Sequence, residues 1–284
     1  RKSHRLSCSV SMKIFVPIVV ILMLSEQGDS ALYKWSGHVG NLVNQARIQR
    51  QDVFDITRRI FGTLNRNCRG KVGMPKLDQF PSPTQGCDLE MMDELNYGLK
   101  NPKLFEADKF LESFWFSKPG EGLIKEMNQR GVSEIVLKDA MKELWFGESR
   151  RGDCAFNRLF LGVDTIGQLN LVGFNSWYTF DMAKKARDNC TLEIRGQYLP
   201  VVVDGKCEGH KYSSSFIFPN HPFTDLVLYS LCAWSLHPGY TAIRSCPVIV
   251  PGTKHSTEVG TLFSLDYSNN TYLEDVYCNY NPDM

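Results

Sequence analysis

The chain has little charge of either sign to spare. Its 32 Lys and Arg against 31 Asp and Glu leave a formal net charge of +1 across 284 residues. No global field therefore draws it to nucleic acid or anionic lipid, and any polyanion must be met by a local basic patch. It has no acidic run, so it carries no mineral-binding tract. No CxxC and no HxxxH occurs, which removes the common zinc spacings. No GxSxG surrounds Ser213, Ser214 or Ser215, so a hydrolase elbow is excluded. Internal repeats and low-complexity tracts are also lacking. After residue 24 no apolar run approaches the roughly 20 residues that span a bilayer.

Turning to what is there, Arg1 to Ser11 precede the first methionine and read as upstream sequence outside the fold. From Met12, Lys13 supplies a short positive region, Ile14 to Leu24 is an unbroken apolar run, and Ser25 to Ser30 is small and polar. That is the layout of a secretory signal peptide over 12–30, with Gly28 and Ser30 at the small-residue cleavage positions. The expectation is a secreted, extracellular protein without a transmembrane segment once the signal is removed. About 254 residues (284 minus 30) would then remain, enough for one large domain or one domain with a lobe added.

Cysteine usage agrees with export. Beyond Cys8, the eight are Cys68, Cys87, Cys154, Cys190, Cys207, Cys232, Cys246 and Cys278. An even number favours disulfides, although eight cysteines admit about a hundred connectivities. Proximity along the chain puts Cys68–Cys87, Cys190–Cys207 and Cys232–Cys246 first for testing. Asn189 and Asn269 begin N-x-[ST] triplets and are candidate glycosylation acceptors.

The periodicity predicts helix over 31–66, where Val53, Ile56 and Ile60 share a face and Arg58 and Arg59 turn outward. Residues 67–87 are a Gly- and Pro-broken loop, and 31–87 is read as an N-terminal extension. Helical patterning resumes over 88–116, with Lys118-Pro119-Gly120 as a turn. Two helices joined at Gly131 follow, the second with Ser133 as N-cap. Leu159–Val163 and Leu169–Phe174 read as a hairpin around 164–168. Further strands are expected over 199–203, 216–218, 248–250 and 259–267. Pro222 to Leu236 is a helix apolar on nearly every side, which must be buried. Trp177 and Trp234 are expected in the core. Helices first and strands afterwards give an α+β class, a helical region followed by small antiparallel sheets packed with helices.

Five segments in order carry a resemblance. They are Leu144-Trp-Phe, Cys154-Ala-Phe-Asn-Arg-Leu-Phe-Leu-Gly162, Gly173-Phe-Asn-Ser-Trp177, Lys211-Tyr-Ser-Ser-Ser-Phe216 and Pro222-Phe-Thr-Asp-Leu-Val-Leu-Tyr-Ser-Leu-Cys232. A late Thr261-Leu-Phe263 completes the set. Their order and spacing resemble the EndoU family of poly(U)-preferring endoribonucleases over about 88–268, and imply an EndoU-like domain at 88–280. The family's pattern is G-F-E-H-V-F-x-G, G-F-H-N-W, K-x-x-S-S-F, S-P-E-F-E-x-A-L-Y-S-L-C and T-x-Y. The resemblance implies RNA cleavage through the 2′-hydroxyl to a cyclic phosphate, with two histidines moving protons, a lysine steadying the phosphate and manganese often supporting activity.

This sequence departs from that pattern where the protons move. The first family histidine falls on Arg158, which stays protonated and cannot be a general base. The glutamate before it falls on Asn157. The second histidine falls on Asn175, whose amide does not titrate. Lys211 and Thr261 are retained catalytic positions, while Phe263 replaces the tyrosine. Each lost acid or base removes about 10²- to 10⁴-fold, so the chemistry should be gone while Lys211 and Arg158 remain as a candidate anion-binding pair. The expectation is a non-catalytic extracellular binding or matrix component with an unidentified partner, RNA among the candidates, and no cofactor. The alternative is an active endoribonuclease rewired through His210, His221 or His255 and supported by manganese. A third reading, an unrelated extracellular structural protein, stays open. If Lys211 is on a strand, His210 points to the other face.

Overall fold

A computed structural model gives the fold. It describes residues 35, 37–61, 107–147, 154–161, 163–164, 170–172, 175–176, 190–195, 201–207, 210–217, 222–236, 244–249, 256–265 and 271–279. The expected signal, the 67–87 loop, Cys68–Cys87, Trp177, both glycosylation acceptors, and His221, His237 and His255 lie outside the described residues. Among the described residues no helix is long and apolar enough to cross a membrane.

The N-terminal helical stretch is two helices, α1 (Gly37–Ala46) and α2 (Arg50–Phe61). Arg47 separates them at φ 47°, a left-handed conformation that costs a side chain roughly 1–2 kcal/mol and stops α1. Asp52 then accepts a hydrogen bond from the Gln49 backbone N–H at 3.1 Å, closing the first turn of α2. Arg130 reaches across to Asp52 and to the Ala46 carbonyl, both at 3.4 Å, and ties the corner to the rest of the protein. Val53, Ile56 and Ile60 are buried and Arg58 and Arg59 face outward, as their spacing predicts.

Next come α3 (Ala107–Trp115), α4 (Lys118–Gln129) and α5 (Glu134–Phe146). Lys118-Pro119-Gly120 is not the expected turn but the start of α4. Ser117 caps it and Pro119 occupies the first turn, where the missing N–H costs no helix hydrogen bond. Gly131, at φ 79°, links α4 to α5, and Ser133 caps α5 by accepting from the Val136 N–H. Glu143 in α5 accepts from the His38 N–H at 2.6 Å and so caps α1 from another helix. Arg59 grips the buried Glu126 with two 2.8 Å hydrogen bonds, fixing α2 to α4. This pairing raises the Arg59 pKa above its ordinary value, the side-chain hydrogen bond to Glu126 being the main cause.

The sheets correct several boundaries. The strand expected over 159–163 is largely a π-helical turn, Asn157–Leu161, with strand only from Val163. Its apolar run buries Leu159 and Phe160 against the helices, and a periodic pattern cannot separate a short buried helix from a short buried strand. The hairpin is real but short, β1 (Val163–Asp164) antiparallel to β2 (Asn170–Val172). β3 (Cys190–Arg195), β4 (Val201–Cys207) and β5 (His210–Phe216) complete a sheet of order β1-β2-β5-β4-β3. β2 runs parallel to β5, so this sheet is mixed rather than antiparallel. The β3–β4–β5 meander returns β5 beside β2 in the same direction. β6 (Arg244–Ile249), β7 (Ser256–Leu265) and β8 (Thr271–Asn279) form a second, fully antiparallel sheet. Helices first and sheets later give the α+β class; β3 and β8 are additions, and the strand expected over 216–218 gives way to β5, which ends at Phe216.

Between these layers runs α6 (Pro222–Ser235), and all fourteen of its residues are buried. Phe223 meets Phe110 and Phe114 edge-on, at 5.4 and 5.3 Å between ring centres. Trp145 Nε1 donates to Ser230 Oγ at 2.8 Å, joining α5 to α6. Trp234 is in the core, as expected. Cys232 on α6 is disulfide-bonded to Cys246 on β6, the nearest-neighbour pairing read from the sequence. Cys232 Sγ also lies 3.1 Å from the Val259 carbonyl oxygen; a disulfide sulfur has no proton to donate, so this is packing. Cys190 and Cys207 are direct Cα partners across β3 and β4, within the spacing a disulfide needs.

Two outcomes are expected. Peptide mapping without reduction should recover the 232–246 and 190–207 linked pairs. Cys232→Ala with Cys246→Ala should lower unfolding free energy by about 3 kcal/mol, the value for a loop of this length, measured by denaturant titration.

Candidate functional site

Asn175 is the centre of the candidate site and it is 6% exposed. Three elements reach it. Its backbone N–H donates to the Leu159 carbonyl on the π-helical turn at 2.7 Å. Its side-chain Oδ1 accepts from Ser214 Oγ on β5 at 2.8 Å. Its backbone carbonyl accepts from the Tyr229 hydroxyl on α6 at 2.6 Å. Leu159, Ser214 and Tyr229 are all buried, so these bonds sit in low dielectric, where losing a partner is most costly. Asn175 is thus a clasp joining the π-helical turn, the mixed sheet and the buried helix.

Arg158 precedes Leu159 on that turn, so its backbone stands next to the clasp; its side chain lies outside the described residues. Lys211 is exposed on β5. The pairing of β4 with β5 runs unbroken from Val201–Phe216 to Cys207–His210. Alternation therefore puts Lys211 and Ser213 on one face and Ser214 and Phe216 on the other. Ser214 and Phe216 are buried and Ser213 is exposed, as this requires. Lys211 consequently stands on the solvent face of β5, while Asn175 is bonded to the core face. His210 is the register partner of Cys207.

Thr261 is on β7 in the other sheet, paired with Arg244 and Val276, and is 1% exposed. Its Oγ1 has no hydrogen-bond partner among the described residues. A bulge follows it between Leu262 and Phe263, which increases local twist. The structure thus brings the 158 and 175 positions together through Leu159. It leaves Lys211 on an exposed face and Thr261 in the second sheet's core. β8 packs against both β5 and the π-helical turn, which is where the two sheets meet.

Chemically, the clasp holds; it does not move protons. An asparagine amide offers no titrating group, and its carbonyl oxygen is already occupied by Ser214. Among the described residues no group of three His, Cys, Asp or Glu side chains could hold a metal ion. Sequence reasoning missed Ser214 and Tyr229 as partners of Asn175. The signal was present in the run Ser213-Ser214-Ser215 and in the polar tip of Tyr229 within an apolar helix, since a buried hydroxyl needs a partner.

Tyr229→Phe removes the donor to the Asn175 carbonyl and should cost about 1–3 kcal/mol. Ser214→Ala should cost a similar amount. The double variant should lose less than the sum, since both bonds hold one residue; thermal unfolding of the four proteins checks this. The sequence matches no protein-family model and no curated protein.

Proposed function

We propose that this chain is a secreted, catalytically inactive relative of the EndoU endoribonucleases that works as an extracellular binding or matrix component. The observation that carries this reading is the state of Asn175. At the position where the resemblance calls for a proton-carrying histidine, the residue is a buried asparagine whose side-chain oxygen accepts from Ser214, its backbone being bonded to Leu159 and Tyr229. A general acid or base needs access to substrate and a pKa near the working pH; Asn175 has neither. Arg158, at the other histidine position, stays protonated at any physiological pH. The ordered sequence segments support the reading, and the α+β order of helices followed by sheets is compatible with it. The Cys232–Cys246 disulfide fits an oxidising compartment.

The test is cleavage of a uridine-containing RNA by the purified, oxidised protein with manganese, beside a Lys211→Ala control. No cleavage is expected from either protein, with folding established by circular dichroism. Cleavage that the control abolishes would overturn the proposal in favour of a rewired endoribonuclease, with His210, His221 and His255 next for replacement.

A further inference from the structure

The solvent face of the mixed sheet carries a feature that the clasp does not use. Lys206 on β4 and Lys211 on β5 are direct cross-strand partners. Thr191 on β3 is the partner of Lys206, and Asn170 on β2 is the partner of Lys211. Thr191, Lys206 and Lys211 are all exposed. Directly opposed residues on an antiparallel pair have Cβ atoms about 5 Å apart, where like charges repel. Among the described residues, no ion pair or hydrogen bond relieves either lysine. Two acids occupy positions on the same face, Asp204, half-buried and two residues from Lys206 along β4, and its register partner Glu193 on β3. An anion between the two ammonium groups would convert this repulsion into attraction.

We propose that the Thr191–Lys206–Lys211 row binds a sulfated polysaccharide. This rests on the extracellular binding reading above and names the partner class. Three points select the ligand. Lysine ammonium groups are point charges that accept a sulfate from any direction, so they suit a flexible polymer whose sulfates are not rigidly placed. The row crosses three strands and spans about 10 Å, so it meets successive charges on one chain. Thr191 adds a hydroxyl donor beside Lys206. Single-stranded RNA, by contrast, is gripped by aromatic side chains that stack on its bases. The exposed positions described on this face are Thr191, Lys206, Lys211 and Ser213, and none is aromatic. A chain of net charge +1 supplies no long-range attraction, so binding must be local and sensitive to salt.

The experiment titrates the full oxidised protein with heparin as the sulfated probe, with a uridine-containing RNA oligomer in a parallel arm. Lys206→Glu, Lys211→Glu and their double variant are compared with Lys125→Glu, an exposed lysine on α4. The neutral Lys206→Gln/Lys211→Gln pair guards against misfolding in the acidic variants. Heparin should bind the parent protein and the Lys125→Glu control alike. The double variant should bind about tenfold or more weakly, and its slope of log K against log salt should be shallower by about 2. No binding by the parent at low salt would overturn the proposal, as would binding indifferent to both lysines. RNA bound more tightly than heparin through the same lysines would replace the ligand class with nucleic acid. Detection of RNA cleavage in the preceding assay would sink the non-catalytic reading without deciding the heparin result.

Discussion

A helix that is apolar all round must be covered all round, and the rest of this structure is arranged to cover α6. Every residue from Pro222 to Ser235 is buried. Removing that much apolar surface from water is the dominant favourable contribution to folding. α2 and α4 pack on it from the helical side, and β6 and β7 from the second sheet. Phe223 enters the aromatic cluster of Phe110 and Phe114. Two of its polar tips meet neighbours: Ser230 meets Trp145, and Tyr229 meets Asn175. Cys232 then binds it covalently to β6.

The clasp follows from that burial. A tyrosine hydroxyl carried into the core needs an acceptor, and the Asn175 carbonyl supplies it. Once held there, Asn175 also takes the Ser214 hydroxyl and gives its N–H to Leu159. The position is therefore constrained by folding. The bonds to Leu159 and Tyr229 are made by the backbone and would survive a change of side chain, whereas the bond from Ser214 depends on the asparagine amide. Asn175 thus serves the fold through its backbone and its amide together.

The two faces of β5 divide the labour. Ser214 and Phe216 look inward and belong to the core, while Lys211 and Ser213 look outward. A lysine that the resemblance groups with the clasp thus belongs, by strand alternation, to a different surface. Its cross-strand neighbour there is Lys206, five residues earlier in sequence. That pairing follows from the register of β4 against β5.

By itself the sequence determined the helices with strong periodicity and clear caps: the buried face of α2, the Ser133 cap, the glycine between α4 and α5, and the whole of α6. It also made Cys232–Cys246 the natural pair, since the two are fourteen residues apart. These are local facts, decided within a few turns of chain. Tertiary structure alone decided that 157–161 coils into a π-helical turn, because a short apolar run satisfies either periodicity and packing chooses. It decided that Pro119 starts a helix rather than a turn. It decided the parallel pairing of β2 with β5, which depends on strands far apart in sequence. It placed Asn175 against Ser214 and Tyr229, 39 and 54 residues away, and Lys211 on the other side of the strand. Such contacts are set by register and burial over long separations, which residue spacing along one segment does not encode.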